Sequence, residues 1–251
     1  MKIFTSIVDW QSYRGTVQQH PLGFVPTMGA LHQGHLSLVE ASRKQDVLTI
    51  VSVFTNPKQF DDSADFEAYP NNYQADLEKL EKGGVDAVLM PDATQIYPDD
   101  YRFKVTESDF SQRLCGAHRP GHFDGVLTVV IRLLNLVRPD NAYFGEKDYQ
   151  QLQLIRDMTS AFFMPVNIVA CATVREADGL AMSSRNQHLD EAGRAQAASL
   201  YTALRHSRTA SEARQTLLGQ GFDVDYVEDI ANRRLAAAKL GSTRLIDNVE
   251  I

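Results

Sequence analysis

The sequence predicts an α/β fold: a Rossmann-like doubly wound parallel sheet followed by a smaller α+β C-terminal domain. Three observations carry this reading. Short β-rich runs alternate with helical patterns through the first two thirds of the 251 residues, as in a parallel sheet covered by helices on both faces. Residues 47–54 (VLTIVSVF) form an apolar run of the kind that strands buried on both faces show. After about Arg175 the texture changes to Ala-rich helical stretches, and a boundary placed there on composition divides the chain into 1–174 and 175–251.

In chain order, residues 22–26 read as a first strand, 35–44 as a helix and 47–54 as the next strand, one βαβ unit. Residues 72–82 are helical and end at Gly83-Gly84, after which 85–90 supply another buried strand. Val126, Val129, Val130, Leu133, Leu134 and Val137 make a helical stripe that stops before Pro139. Residues 142–145 read as a strand, 150–162 as a helix and 166–170 as a strand. In the C-terminal part, 192–207 and 211–219 read as helices, 224–230 follow, and a short strand lies near 244–246.

Composition excludes several classes. With 43% hydrophobic residues the chain has material for a sizeable core. A net charge of −7 argues against a phosphate-backbone binder, so no nucleic-acid partner is expected. Only Cys115 and Cys171 occur, far apart, so buried thiols in a reducing compartment are expected rather than a disulfide framework. No apolar run approaches the roughly 20 residues of a membrane span, and no export signal is visible, which makes the expected setting cytoplasmic.

The most informative segment is Pro26-Thr27-Met28-Gly29-Ala30-Leu31-His32-Gln33-Gly34-His35, between a predicted strand and a helix start. Unpaired N–H groups and the dipole at a helix N-terminus favour anions, and Gly29 and Gly34 permit a tight turn and close approach. His32 and His35 add ring donors; the alternatives are a metal pair or two surface histidines. Downstream, Met182-Ser183-Ser184-Arg185-Asn186 offers hydroxyls and a guanidinium suited to a triphosphate, although such a run alone is usually a solvated loop. Phe144-Gly145-Glu146-Lys147-Asp148-Tyr149-Gln150-Gln151 again joins a strand to a helix at the ligand-binding edge of a parallel sheet. Lys147 there opposes the helix dipole, which an anionic partner would explain; the alternative is a decorated helix start. Asn56 and Gln59, leaving the second buried strand, are placed to grip a hydroxyl and a carboxylate, against the alternative of a plain turn.

The His-Gln-Gly-His and Met-Ser-Ser-Arg segments resemble the paired signatures of the adenylate-forming HxGH nucleotidyltransferases. Together with Arg119-Pro120-Gly121-His122-Phe123-Asp124-Gly125-Val126 and Arg244-Leu245-Ile246-Asp247-Asn248, and in this order, they resemble the pantothenate synthetase family through nearly the whole chain. The resemblance implies ATP-dependent condensation of pantoate with β-alanine through a pantoyl-adenylate, with Mg²⁺ on the ATP phosphates, no tightly bound organic cofactor, and a homodimer. It implies an ATP site of Met28, Gly29, Ala30, Leu31, His32, Gln33, Gly34, His35, Gly145, Glu146, Lys147, Asp148, Val174, Met182, Ser183, Ser184 and Arg185. His35 would be the proton donor, assisted by His32 and Lys147, with Gln59 and Gln151 holding pantoate; no metal ligand is assigned. Two departures stand out: Tyr69-Pro70-Asn71-Asn72 replaces the family's Tyr-Pro-Arg-Thr, and the C-terminal part, expected to act as a lid, is abbreviated. The competing reading is another HxGH nucleotidyltransferase that adenylates a phosphate-containing acceptor. Such an acceptor calls for Arg or Lys where this sequence offers the amides of Gln59 and Gln151.

Overall fold

A computed structural model describes residues 1–61 and 63–251. Six parallel strands form the main sheet: β1 (Lys2–Phe4), β2 (Leu22–Thr27), β3 (Leu48–Val53), β4 (Ala87–Leu89), β5 (Asn141–Gly145) and β6 (Asn167–Cys171), in the order β1-β4-β3-β2-β5-β6. Helices α1 (Ile7–Thr16), α2 (Gln33–Gln45), α3 (Ser63–Glu67), α4 (Tyr73–Lys82), α5 (Ala93–Ile96), α6 (Cys115–His118), α7 (His122–Val137) and α8 (Tyr149–Ala161) accompany it. The apolar faces of α1, α7 and α8 pack on one side of the sheet, and those of α2 and α4 on the other. Because β2 and β3 are covered on both faces, nearly all their residues are buried.

Direction reverses at β2, which pairs with β3 on one side and β5 on the other. The loops leaving β2 and β5 diverge there and open a crevice at the carboxyl edge, the place where doubly wound sheets bind ligands. The stripe read from Val126 to Val137 is α7, with ten buried residues.

The C-terminal part contains α9 (Glu191–Ala197), α10 (Ser199–His206), α11 (Ala210–Gly219) and an antiparallel sheet of β7 (Asp223–Ile230), β8 (Arg233–Leu240) and β9 (Thr243–Glu250). This corrects two readings and adds a strand that the sequence reading left out. The helix expected over 192–207 is two helices divided at Ala198. The strand near 244–246 runs the length of β9. No local pattern marks β8, whose Ala-Ala-Ala centre reads as helix. Ala236 and Ala238 pack toward α10 and α11, while Leu235 and Ala237 join the core of the main sheet, so a strand buried on both faces needs small residues there. At the N-terminus β1 and α1 also escape the sequence reading; Trp10 of α1 is fully buried, and its indole N–H donates to Leu136 O at 2.9 Å. Of the two cysteines Cys115 is buried, while Cys171 is half-buried at the edge strand. Among the described residues no helix is long and apolar enough to cross a membrane.

Arg175, just after β6, clasps β9. It binds Asp247 bidentately at 2.6 and 2.9 Å, donates to Asn248 O at 3.1 Å, and stacks on the Tyr201 ring at 4.1 Å. The Asp247 carboxylate is almost wholly buried, so removing its partner strands a charge. Arg175→Met is expected to lower unfolding stability by roughly 3 kcal/mol, read as a reduced urea midpoint. An unchanged midpoint would show that the clasp does not hold the two sheets together.

Candidate active site

The chain leaves β2 through two left-handed residues, Gly29 (φ 83°) and Ala30 (φ 51°). This turns the Ala30 and Leu31 N–H groups onto the buried carboxylate of Asp76 at 2.7 and 2.8 Å. His32 then caps α2: its Nδ1 accepts the Gly34 N–H at 3.1 Å, and His35 Nδ1 accepts the His32 N–H at 3.3 Å. This is a reciprocal capping box made from two imidazoles. A neutral ring that accepts at Nδ1 carries its proton on Nε2, so both histidines keep an Nε2–H for a ligand. Helix-end N–H groups expected to meet an anion are thus partly engaged by the rings, which pass the donor role outward.

Gly34 has a steric role. A Cβ there would lie 2.8 Å from His32 Cε1 and 2.9 Å from Nδ1, so any other residue displaces the ring. The two rings sit 4.1 Å apart. Burial, reinforced by the charge of Lys147, lowers His32 to about 4. Burial, then the neighbouring His32 and Lys147, lowers His35 to about 3. Both are neutral hydrogen-bond donors at neutral pH.

Lys147 follows β5 in a single turn of 3₁₀ helix. The turn is held from the C-terminal sheet, where Asn248 Nδ2 donates to Glu146 O at 2.8 Å and Lys147 O at 3.0 Å. Arg233 pairs with Glu146 at 3.1 Å, which takes that carboxylate off the cavity wall. Across the crevice, Ser183 caps the turn Ser184–His188 by accepting the Arg185 N–H. Ser184 Oγ donates to Tyr69 Oη at 3.4 Å, and Arg185 pairs with Asp65 of α3 at 2.8 Å. Asn186 Oδ1, beside the cavity, is a buried acceptor with no partner among the described residues.

These parts line one cavity of about 940 Å³. Of the expected residues, Met28, His32, Gly34, His35, Gly145, Lys147, Asp148, Val174, Met182, Ser183, Ser184 and Arg185 border it, as do Gln59 and Gln151. Gly29, Glu146 and Gln33 do not, while Ala30 and Leu31 border an adjoining space of about 310 Å³. Asn56 lies at the wall, yet its amide is spent internally. Nδ2 donates to Gln59 Oε1 at 3.0 Å and Gly125 O at 3.1 Å, and Oδ1 accepts the Tyr97 hydroxyl at 2.6 Å. Asn56 therefore orients Gln59, whose NH₂ has no partner among the described residues, while the Asn56 amide is itself engaged within the fold. Sequence reasoning also missed Asp76, which has no local signal on α4, and Arg119 and His122, which it quoted without a role.

The site thus joins cations and ring N–H donors on one wall to neutral amides on another. That suits a polyphosphate beside a small hydroxylated acid. Among the described residues no group of three or more His, Cys, Asp or Glu side chains converges.

A model of the family described as pantoate-beta-alanine ligase matches residues 2–250. Pantothenate synthetase of Bdellovibrio bacteriovorus is 52% identical over 250 residues, covering all of this chain and 99% of that protein. The Coxiella burnetii enzyme of the same name is 46% identical over 99% of this chain and 96% of its own length. A crystal structure of pantoate-beta-alanine ligase from Francisella tularensis, complexed with beta-gamma ATP and beta-alanine, superposes with a TM-score of 0.95 at 38% identity, covering 100% of this chain and 97% of that one. Pantothenate synthetase from Thermus thermophilus gives 0.93 at 38% identity, with coverage of 100% and 99%.

Two outcomes follow from the geometry. A Cβ at Gly125 of α7 would overlap the Lys58 carbonyl, so Gly125→Ala is expected to push the Asn56–Gln59 turn outward and raise KM for the acid substrate about tenfold, measured in initial-rate kinetics. An unchanged KM would mean that Gln59 does not hold that substrate. The depressed histidines make the fold acid-sensitive: below pH 6.5 unfolded imidazoles bind protons that His32 and His35 refuse until about 4 and 3. Stability should fall on the order of 1 kcal/mol per pH unit per histidine between pH 6.5 and 4. Replacing both with Asn should flatten that slope in denaturant melts; an unaltered slope would mean that the rings titrate normally.

Proposed function

The chain belongs to the pantoate-beta-alanine ligase family, and from that premise we infer that it joins pantoate to β-alanine at the cost of ATP, releasing AMP and pyrophosphate. It is a ligase that forms an amide bond. The observation that carries the reading is one crevice bordered by a cationic, hydrogen-bond-donating wall and by two amides, each part at a loop the fold sends there.

In the first half-reaction a pantoate carboxylate oxygen attacks the α-phosphorus, and the bond to the pyrophosphate oxygen breaks. Charge grows on phosphoryl oxygens and on the leaving group, so fixed donors that need no rearrangement lower the barrier. We assign this role to Lys147 and to the Nε2–H groups of His32 and His35. A ring held neutral stabilises by donating a hydrogen bond, so His35 is assigned as a donor to the developing charge rather than as an acid that gives up a proton. Ser183, Ser184 and Arg185 are assigned to the outer phosphates; there Arg185 exchanges Asp65 for a more highly charged partner. Gly145, where an added Cβ would meet nothing within 4 Å, leaves room for the nucleotide, and Gln59 and Gln151 are assigned to pantoate.

Mg²⁺ belongs to the proposal as an ion carried on the ATP phosphates, where it would neutralise charge on the leaving group. The donor set fits this, because Mg²⁺ keeps water and phosphate oxygens and asks for few protein ligands. The homodimer, the cytoplasmic setting and closure by the part after residue 174 are proposed with it. In the second half-reaction the β-alanine ammonium first gives a proton to solvent, the free amine attacks the acyl carbon, the acyl–oxygen bond to AMP breaks, and the nitrogen loses a second proton to solvent as the amide forms.

Single-turnover release of pyrophosphate from ATP with pantoate, followed by turnover when β-alanine is added, tests the reading. His35→Ala and Lys147→Gln are each expected to slow the pantoate-dependent burst about a hundred- to a thousandfold without loss of fold. A burst that ignores pantoate would remove the substrate assignment, and wild-type rates in both variants would remove the roles given to the two residues.

A further inference from the structure

Arg119 and His122 take no part in the steps above, yet both are built into the cavity wall beside Gln59. Arg119 Nε donates to Asp61 at 2.7 Å, and Nη2 donates to the Gln59 carbonyl at 3.3 Å. His122 Nδ1 lies 2.7 Å from the same carbonyl, which can only accept, so Nδ1 carries the proton. Its Nε2 is then a lone pair that accepts from Arg119 Nη1 at 3.3 Å. Burial, with the adjacent Arg119 charge, lowers His122 to about 4 and keeps the ring an acceptor.

The guanidinium is therefore fixed by three of its five N–H bonds. Among the described residues one N–H on each terminal nitrogen has no partner, so the guanidinium keeps donor capacity for an anion. The side chain is only 14% exposed, and a surface arginine kept for solubility would not be ordered in this way.

The other cavity cations have different commitments. Lys147 and Arg185 stand with the phosphate-binding loops. Arg244 pairs with Asp225 at 2.8 Å and directs both terminal nitrogens at Cys115 Sγ, 3.6 Å away, and Lys239 is its cross-strand neighbour on β8. Arg119 is the cavity cation adjoining Gln59, and the proposed reaction takes a second small acid besides pantoate.

We propose that Arg119, oriented by Asp61 and His122, binds the carboxylate of the amine substrate and so selects a β-amino acid over a simple amine. The inference rests on the ligase reading above. It places no bond change at Arg119; the residue holds one end of the zwitterion while the other end meets the acyl carbon.

The test compares wild type, Arg119→Gln and Arg119→Lys with β-alanine and with β-alaninamide, which keeps the amine and lacks the charge. Pantoate-dependent ATP–pyrophosphate exchange, which needs no amine, reports folding and the first half-reaction. Arg119→Gln is expected to raise KM for β-alanine roughly 10- to 100-fold and to shrink the preference for β-alanine over the amide by the same factor, with exchange near the wild-type rate. Arg119→Lys should recover part of that preference. Equal losses with both amines, or a loss of exchange matched by a raised pantoate KM, would overturn the proposal and make Arg119 a positioning residue acting through the Gln59 carbonyl. Pantoate-dependent exchange in wild type with no β-alanine turnover would overturn the ligase reading and this proposal together, whereas the two preceding results leave the ligase reading intact.

Discussion

Pairing of β2 with β3 on one side and β5 on the other is the constraint from which the site follows. Two parallel neighbours on opposite sides of one strand need crossovers on opposite faces of the sheet, and the loops that begin those crossovers must part. The loop after β2 carries His32 and His35, and the loop after β5 carries Lys147. A single backbone decision thus sets a cation and two ring donors facing one opening. No side-chain contact between them is needed to bring them there.

What those groups can do is then decided by how each is held. The imidazoles are useful because their Nδ1 atoms serve the helix end: the bonds that satisfy backbone N–H groups also fix the tautomer and leave Nε2–H outward. Burial, reinforced by the nearby Lys147 charge, keeps the rings neutral, so they contribute dipoles to the site. A protonated ring would add repulsion against Lys147 in the empty site. Gly34 is the sterically required member of the arrangement, and Asp76 holds the loop that delivers it.

The sequence made the sheet and much of the site legible wherever a pattern is local. Residues 47–54 announce a buried strand, Val126 to Val137 announce α7, and the His-Gln-Gly-His segment marks a strand-to-helix turn. Illegible parts depend on contacts distant in sequence. β8 reads as helix because alanine favours helices, and only its burial between α10 and the main core makes Ala236 to Ala238 a strand. β1 is three residues long with an exposed pattern, too short for any period to show. Asn56 and Gln59 look alike in sequence; which amide is spent depends on Tyr97 and Gly125, 41 and 69 residues beyond Asn56.

The C-terminal sheet enters the chemistry through backbone bonds. Asn248 holds the carbonyls of Glu146 and Lys147, and Arg175 fastens the neighbouring Asp247, so the turn that carries Lys147 is bonded directly to β9. Movement of β9 would shift Lys147 with it, because two hydrogen bonds to consecutive carbonyls resist sliding. Arg185, by contrast, is anchored by one partly exposed ion pair to Asp65, a contact of a kind worth about 1 kcal/mol or less. The two cations are therefore held with different stiffness: the turn carrying Lys147 is fixed by two backbone bonds, which suits the role proposed for it at the reacting phosphorus, and Arg185 is held by an ion pair, which suits the change of partner proposed for it. That division matches the needs of a reaction in which one phosphate must be met in a fixed geometry and two must be released.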